Sequence, residues 1–157
     1  HARDRLMSSA APAFKAALFA ACQSLFPAPI LVSYGWPQSN PPELVVVGNI
    51  LGEQEVGPMS SQRRREELLA VEVAVCVFQG GVVDQQPVTE RAYELVALLE
   101  DYLQDSGVIA SLQVTLGNTV RECRVIRAEL TEAEDPDLLA SGRAATLIAT
   151  VQATARI

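Results

Sequence analysis

Histidine, lysine and tryptophan are nearly missing from this chain of 157 residues, each occurring once, as His1, Lys15 and Trp36. The shortage of histidine removes the commonest general base. With the single lysine placed in an apolar segment, neither a Ser-His-Asp triad nor a Ser-Lys pair has the residues it needs. Cysteine is sparse as well. Cys22, Cys76 and Cys123 lie far apart with no CxxC spacing and no nearby histidine, which argues against zinc and against a disulfide framework. They read as small core residues of a reduced compartment. No GxxxxGK[ST] or GxGxxG stretch is present, so nucleotide cradling has no support. Aromatic residues make up 5% of the chain, too few for the stacking platforms usual in carbohydrate sites. No apolar run approaches the length of a membrane span, and His1-Ala2-Arg3-Asp4-Arg5 lacks the apolar core of a secretion signal. The expectation is a soluble, intracellular protein without a cofactor or metal.

What is present is apolar and acidic. Half of the chain, 49%, is hydrophobic, and 12 Lys+Arg stand against 19 Asp+Glu, a net charge of −7. That composition supports one globular domain spanning residues 1–157 with a core of its own. It argues against a surface that grips nucleic acid throughout, which requires an electropositive footprint.

Periodicity predicts two main helices and five strands. The first helix is expected over residues 9–26: Ser8 or Ser9 can cap it, Pro12 suits its first turn, and Phe14, Ala17, Leu18, Ala21, Cys22 and Leu25 recur at helical spacing. Lys15 is its only charge, so the helix is apolar nearly all round and calls for cover on more than one side. Another part of the domain or a neighbouring subunit would serve. Strands are expected at 30–34 and 43–50, then a loop over 51–65. Residues 66–79 alternate Leu69, Val71, Val73, Val75 and Val77 on one face with Ala70, Glu72, Ala74, Cys76 and Phe78 on the other.

Pro87 opens a second helix to Gln104, its apolar stripe opposite Glu90, Glu94, Asp101 and Gln104, which read as a solvated face. Strands at 119–130 and 143–157 follow, separated by the acidic turn Glu132–Asp137 and Gly142. The fold class is therefore α+β: a mostly antiparallel sheet with two main helices packed on it, in the order α-β-β-β-α-β-β.

Two charged features invite chemistry. Glu72 is a charge inside an apolar strand, which an outward-facing or edge position explains. The run Arg63-Arg64-Arg65 is the one local basic feature, read as a solvated loop balanced by Glu66 and Glu67, with contact to phosphate or to a partner's carboxylates as the alternative.

The pattern as a whole resembles the tail terminator proteins of long-tailed bacteriophages and gene transfer agents. The likeness rests on the apolar helix Phe14 to Phe26, the strand Val45-Val46-Val47-Gly48, and the Arg-rich loop feeding Glu67-Leu68-Leu69-Ala70-Val71-Glu72-Val73-Ala74-Val75. It extends to the helix Thr89 to Leu103 and the final Thr150-Val151-Gln152-Ala153-Thr154-Ala155-Arg156-Ile157. The resemblance implies a structural virion protein, not an enzyme, at the head-proximal end of the tail and assembled in the host cytoplasm. Its partners would be copies of itself in a hexameric ring, the tail tube protein and a neck or head-completion protein. DNA would pass through without sequence-specific binding, and no membrane is involved. With no active-site residues to transfer, the likeness lends a subunit, tail or neck contact role to Arg63, Arg64 and Arg65 and to Glu132, Glu134, Asp135 and Asp137. Other ring-forming neck or tail components, such as a connector or the tube protein, are the nearest rivals. A soluble enzyme or ligand-binding module using the sheet face near Glu72 is a more distant one.

Overall fold

A computed structural model describes residues 9–56, 65–104 and 120–156. The elements are α1 (Ala11–Leu25), β1 (Leu31–Tyr34), β2 (Glu43–Val56), β3 (Arg65–Gly80), α2 (Gln86–Gln104), β4 (Glu122–Glu132), α3 (Pro136–Ser141) and β5 (Gly142–Arg156). The strands form a five-stranded sheet in the order β1-β2-β3-β5-β4, antiparallel except for the β1–β2 pair. The expected α+β class holds. The β1–β2 connection is tight for parallel neighbours, and it closes because β1 has only four residues for the chain to retrace.

Alternation along the strands sorts the sheet into two unlike faces. Val45 and Val47 of β2, Leu69 to Val77 at odd positions of β3, and Ala145 to Ala155 at odd positions of β5 are buried in the main core. Both long helices lie on that face. α1 contributes Phe14, Leu18, Ala21 and Cys22, and α2 contributes Val88, Ala92, Leu95, Val96, Leu99 and Leu103. The other face holds a small cluster of Leu44, Val46 and Ala74, flanked by Leu31, Cys76 and Ile148. Beyond it lie Glu72, Thr150 and Gln152, as a wetter second face requires.

Several boundaries move. Leu51–Val56, expected in a loop, continues β2 because Gly52, Glu53 and Gln54 pair with Leu69, Leu68 and Glu67 of β3. The acidic turn is half helical: Asp135 accepts the Asp137 N–H at 3.1 Å and Pro136 follows it, a start signal that opens the short α3. Gly142 joins α3 to β5 where a Cβ would lie 2.3 Å from the Gln79 carbonyl oxygen, so β3 and β5 approach there in a way only glycine permits.

The start of α1 uses Ser9, as expected, but with a distant partner. No side chain of the N-cap residue, Ala10, closes it. Instead the Glu67 carboxylate, 3% exposed, accepts the Ser9 hydroxyl at 2.6 Å and the Ala10 N–H at 2.8 Å, while Ser9 Oγ accepts the Ala11 N–H at 3.1 Å. A negative charge at the positive end of a helix, satisfying donors that the helix cannot, fixes α1 to β3.

Candidate functional site

Of the residues singled out for contact, the described ones fall at opposite ends of the sheet. Arg63 and Arg64 lie outside the described residues. Arg65 opens β3, its backbone paired with Val56. Glu132, by contrast, closes β4 opposite Ala145, beside the end of β3 where Gly80 meets Gly142. With 16 residues in β3, the two ends stand about 50 Å apart. The sheet therefore does not bring Arg65 and the acidic loop together within one chain.

The carboxylates also have local work. Glu132 accepts the Thr89 hydroxyl at 2.5 Å, and Gln85 Nε2 donates to Thr89 Oγ1 and to the Ala144 carbonyl, so the start of α2 is tied to the end of β4. Asp135 caps α3, whereas Glu134 and Asp137 are exposed. The expected balance of the arginine run by Glu66 and Glu67 involves side chains outside the described residues, but both carboxylates have described partners elsewhere. Glu67 is turned into the core to cap α1, and Glu66 pairs with Arg121.

Glu72 faces outward from β3, the central strand, opposite Thr150. Its exposure comes from the open face and not from an edge position. Among the described residues no group of His, Cys, Asp and Glu is arranged to hold a metal ion, and no helix is long and apolar enough to cross a membrane. Burial pushes the Cys22 and Cys123 thiols up to about 12, with the Glu122 carboxylate adding to the rise at Cys123. Burial also raises Cys76, against a weak lowering by its contact with Thr146. All three are held as thiols at neutral pH, the unreactive form.

One ion pair escaped the sequence reading because its partners lie 48 residues apart. Arg91 of α2 grips Glu43 of β2 through Nε at 2.5 Å and Nη2 at 3.2 Å, and Nη1 reaches Glu94 at 3.0 Å. The hydrogen bond to Glu43 is the main reason the guanidinium is held above its ordinary pKa. The pair borders an open cleft of about 360 Å³ among Pro29, Pro42, Phe78 and Pro87, with Gln79 adding a further polar side chain to its lining.

The most distinctive surfaces are the two sides of the sheet. β1 covers only Leu44–Val47 of β2, so from Gly48 to Val56 the outer side of β2 has no strand partner among the described residues. β4 likewise pairs only with β5. Exposed apolar side chains gather beside these edges: Tyr34, Trp36 and Leu51 on one side, Ile126 on the other. Tyr34 is braced by Phe19 in an edge-to-face contact at 5.6 Å and by Lys15 Nζ, 4.2 Å from its ring centre. On α1 the outer positions Ala13, Ala16 and Ala20 are exposed, so no described part of the domain supplies the second cover that its composition calls for. No family model and no curated protein matches the chain.

Proposed function

We propose that this chain is a structural subunit that closes head-to-tail into a ring, and that the ring is the tail terminator of a long-tailed phage or gene transfer agent. The observation that carries the reading is the sheet left open on both sides among the described residues. A closed ring needs two different surfaces on each subunit, related by a fixed rotation. Two unlike edges on opposite sides of a rigid sheet meet that need, and the alanine face of α1 gives the neighbouring subunit a close approach. Support of a second kind comes from the ends of the strands. Arg65 lies at one end and the acidic loop Glu132 to Asp137 at the other, so a ring with its axis along the strands would offer chemically different faces to the tube and to the neck.

In this reading the ring is hexameric, rests on the last ring of the tail tube, ends tube growth and presents its other face to a neck or head-completion protein. Its action is binding, and DNA passes through a chain of net charge −7 without being held tightly. Electron microscopy of the purified protein, alone and with tail tubes, tests the proposal. Rings seated at one end of the tubes are expected. A protein that forms no ring and caps no tube overturns it. Deletion of the gene separates terminator from connector, because tails of uncontrolled length are expected for the first and normal tails lacking heads for the second.

A further inference from the structure

The two sheet edges left open among the described residues carry complementary side chains, and we propose that β4 of one copy adds antiparallel to Gly48–Val56 of β2 in the next, with Glu53 opposite Arg124 and Leu51 opposite Ile126. This rests on the reading of the chain as a self-assembling subunit and assigns the interface within it.

Strand direction comes first. β2 and β3 are antiparallel, β3 and β5 antiparallel, β5 and β4 antiparallel, so β2 and β4 run in opposite senses. Turning one copy about an axis roughly along the strands then sets β4 of that copy antiparallel to β2 of its neighbour, which needs no inversion of either sheet. β1 occupies the outer side of β2 at Leu44–Val47. The added strand is thereby confined to the stretch from Gly48 to Val56.

Register follows from the side chains. Glu53 pairs across β2–β3 with Leu68, and Arg124 pairs across β4–β5 with Gln152, which places both on the face away from the helices. Both are exposed, and among the described residues neither has an ionic partner, in contrast to Glu43, Glu66, Arg91, Arg121, Arg127 and Glu129. Two residues further along each strand in the opposing sense stand Leu51 and Ile126, 63% and 46% exposed. Ile126 is the extra residue of a bulge between Val125 and Arg127, a device that re-aims a side chain at a sheet edge. The single register that joins Glu53 to Arg124 also joins Leu51 to Ile126, satisfying one charge pair and covering two apolar side chains together.

A cross-link reads this directly. Within one sheet β2 and β4 are separated by three strand spacings, about 14 Å, beyond the Cα separation of about 7 Å that a disulfide can bridge. Any disulfide between Leu51→Cys and Ile126→Cys in one full-length variant must therefore join two copies. Mild oxidation of the double variant is expected to give a ladder of covalent oligomers ending at the ring size. The wild type and the Leu51→Cys/Leu98→Cys variant, whose second site is exposed on α2, are expected to give none. Charge reversal supplies an independent arm. Glu53→Arg or Arg124→Glu alone is expected to weaken self-association about tenfold, and the two together to restore most of it. Absence of the ladder, or failure of the double reversal to restore association, overturns this interface. Ring formation and tube capping by the wild type decide the underlying reading separately, so a wild type that caps tubes without the ladder discards the edge pairing alone.

Discussion

The two long helices lie on the same face of one sheet, yet their outer surfaces have little in common. Their inner surfaces are alike because the sheet dictates them: Phe14, Leu18 and Cys22 of α1 and Leu95, Leu99 and Leu103 of α2 fill the same apolar layer. Outward, α2 shows the carboxylates Glu90, Glu94 and Asp101 together with Tyr93 and Leu98, whereas α1 shows Ala13, Ala16 and Ala20. The means of attachment differ too. α2 is held by six buried side chains and by the surface pair of Arg91 with Glu43, and α1 by four buried side chains and the buried carboxylate of Glu67. Packing sets the inner half of a helix, and the outer half is free to carry function.

The strongest way to break this comparison is to empty the shared layer. Phe14→Ala and Leu99→Ala are each expected to cost about 3–5 kcal/mol in urea unfolding, because both side chains are fully buried. Equal losses would show that the helices belong to one cooperative core. Next comes Glu67→Ala, which leaves the Ala10 N–H and the Ser9 hydroxyl without their buried acceptor and is expected to cost about 1–3 kcal/mol. Hydrogen exchange should report the loss first in the opening turn of α1. Arg91→Ala, on a pair 35% exposed on one partner and 23% on the other, is expected to cost about 1 kcal/mol or less.

Alkaline pH sharpens the contrast in another way. A thiol held near 12 in the folded chain and near 9 when unfolded favours the folded form fully below pH 9. That advantage is lost as pH rises from 9 towards 12, since only the unfolded chain gives up its proton there. The urea midpoint should therefore fall between pH 8 and pH 10.5, and less steeply in Cys22→Ala/Cys123→Ala measured against its own value at pH 8. The smallest effect on stability is expected from Ala16→Gln, within about 0.5 kcal/mol at this exposed site. The same change should lower self-association if a neighbour packs against α1.

Much of the fold was legible in the sequence because period-2 and period-3.6 patterns report burial, and burial was what the strands and helices had to achieve. The alternation from Leu69 to Val77 and from Ala145 to Ala155 marked the buried face of the sheet residue by residue. What failed were the features set by distant partners. Glu67 read as a counter-charge to neighbouring arginines, and only the packing of α1 against β3 shows it as a cap. Residues 51–56 read as loop because of Gly52 and the following Gly57 and Pro58, and pairing with β3 overrides that signal. The open edges were illegible for the same reason, since sequence marks a strand but not which side of it goes unpaired.

The position of β5 has a consequence for timing. It is the last element in sequence, yet it lies between β3 and β4, bonding to both along most of its length. During synthesis β4 therefore emerges before the strand that will hold it. Until residues 142–156 have been made, β4 lacks its described strand partner and β3 has only β2, so the outer side of β4 is not yet a formed edge. A nascent chain cannot offer that edge to a finished copy. In the proposed assembly, joining is thus deferred until each molecule has folded, which would keep incomplete copies out of the ring.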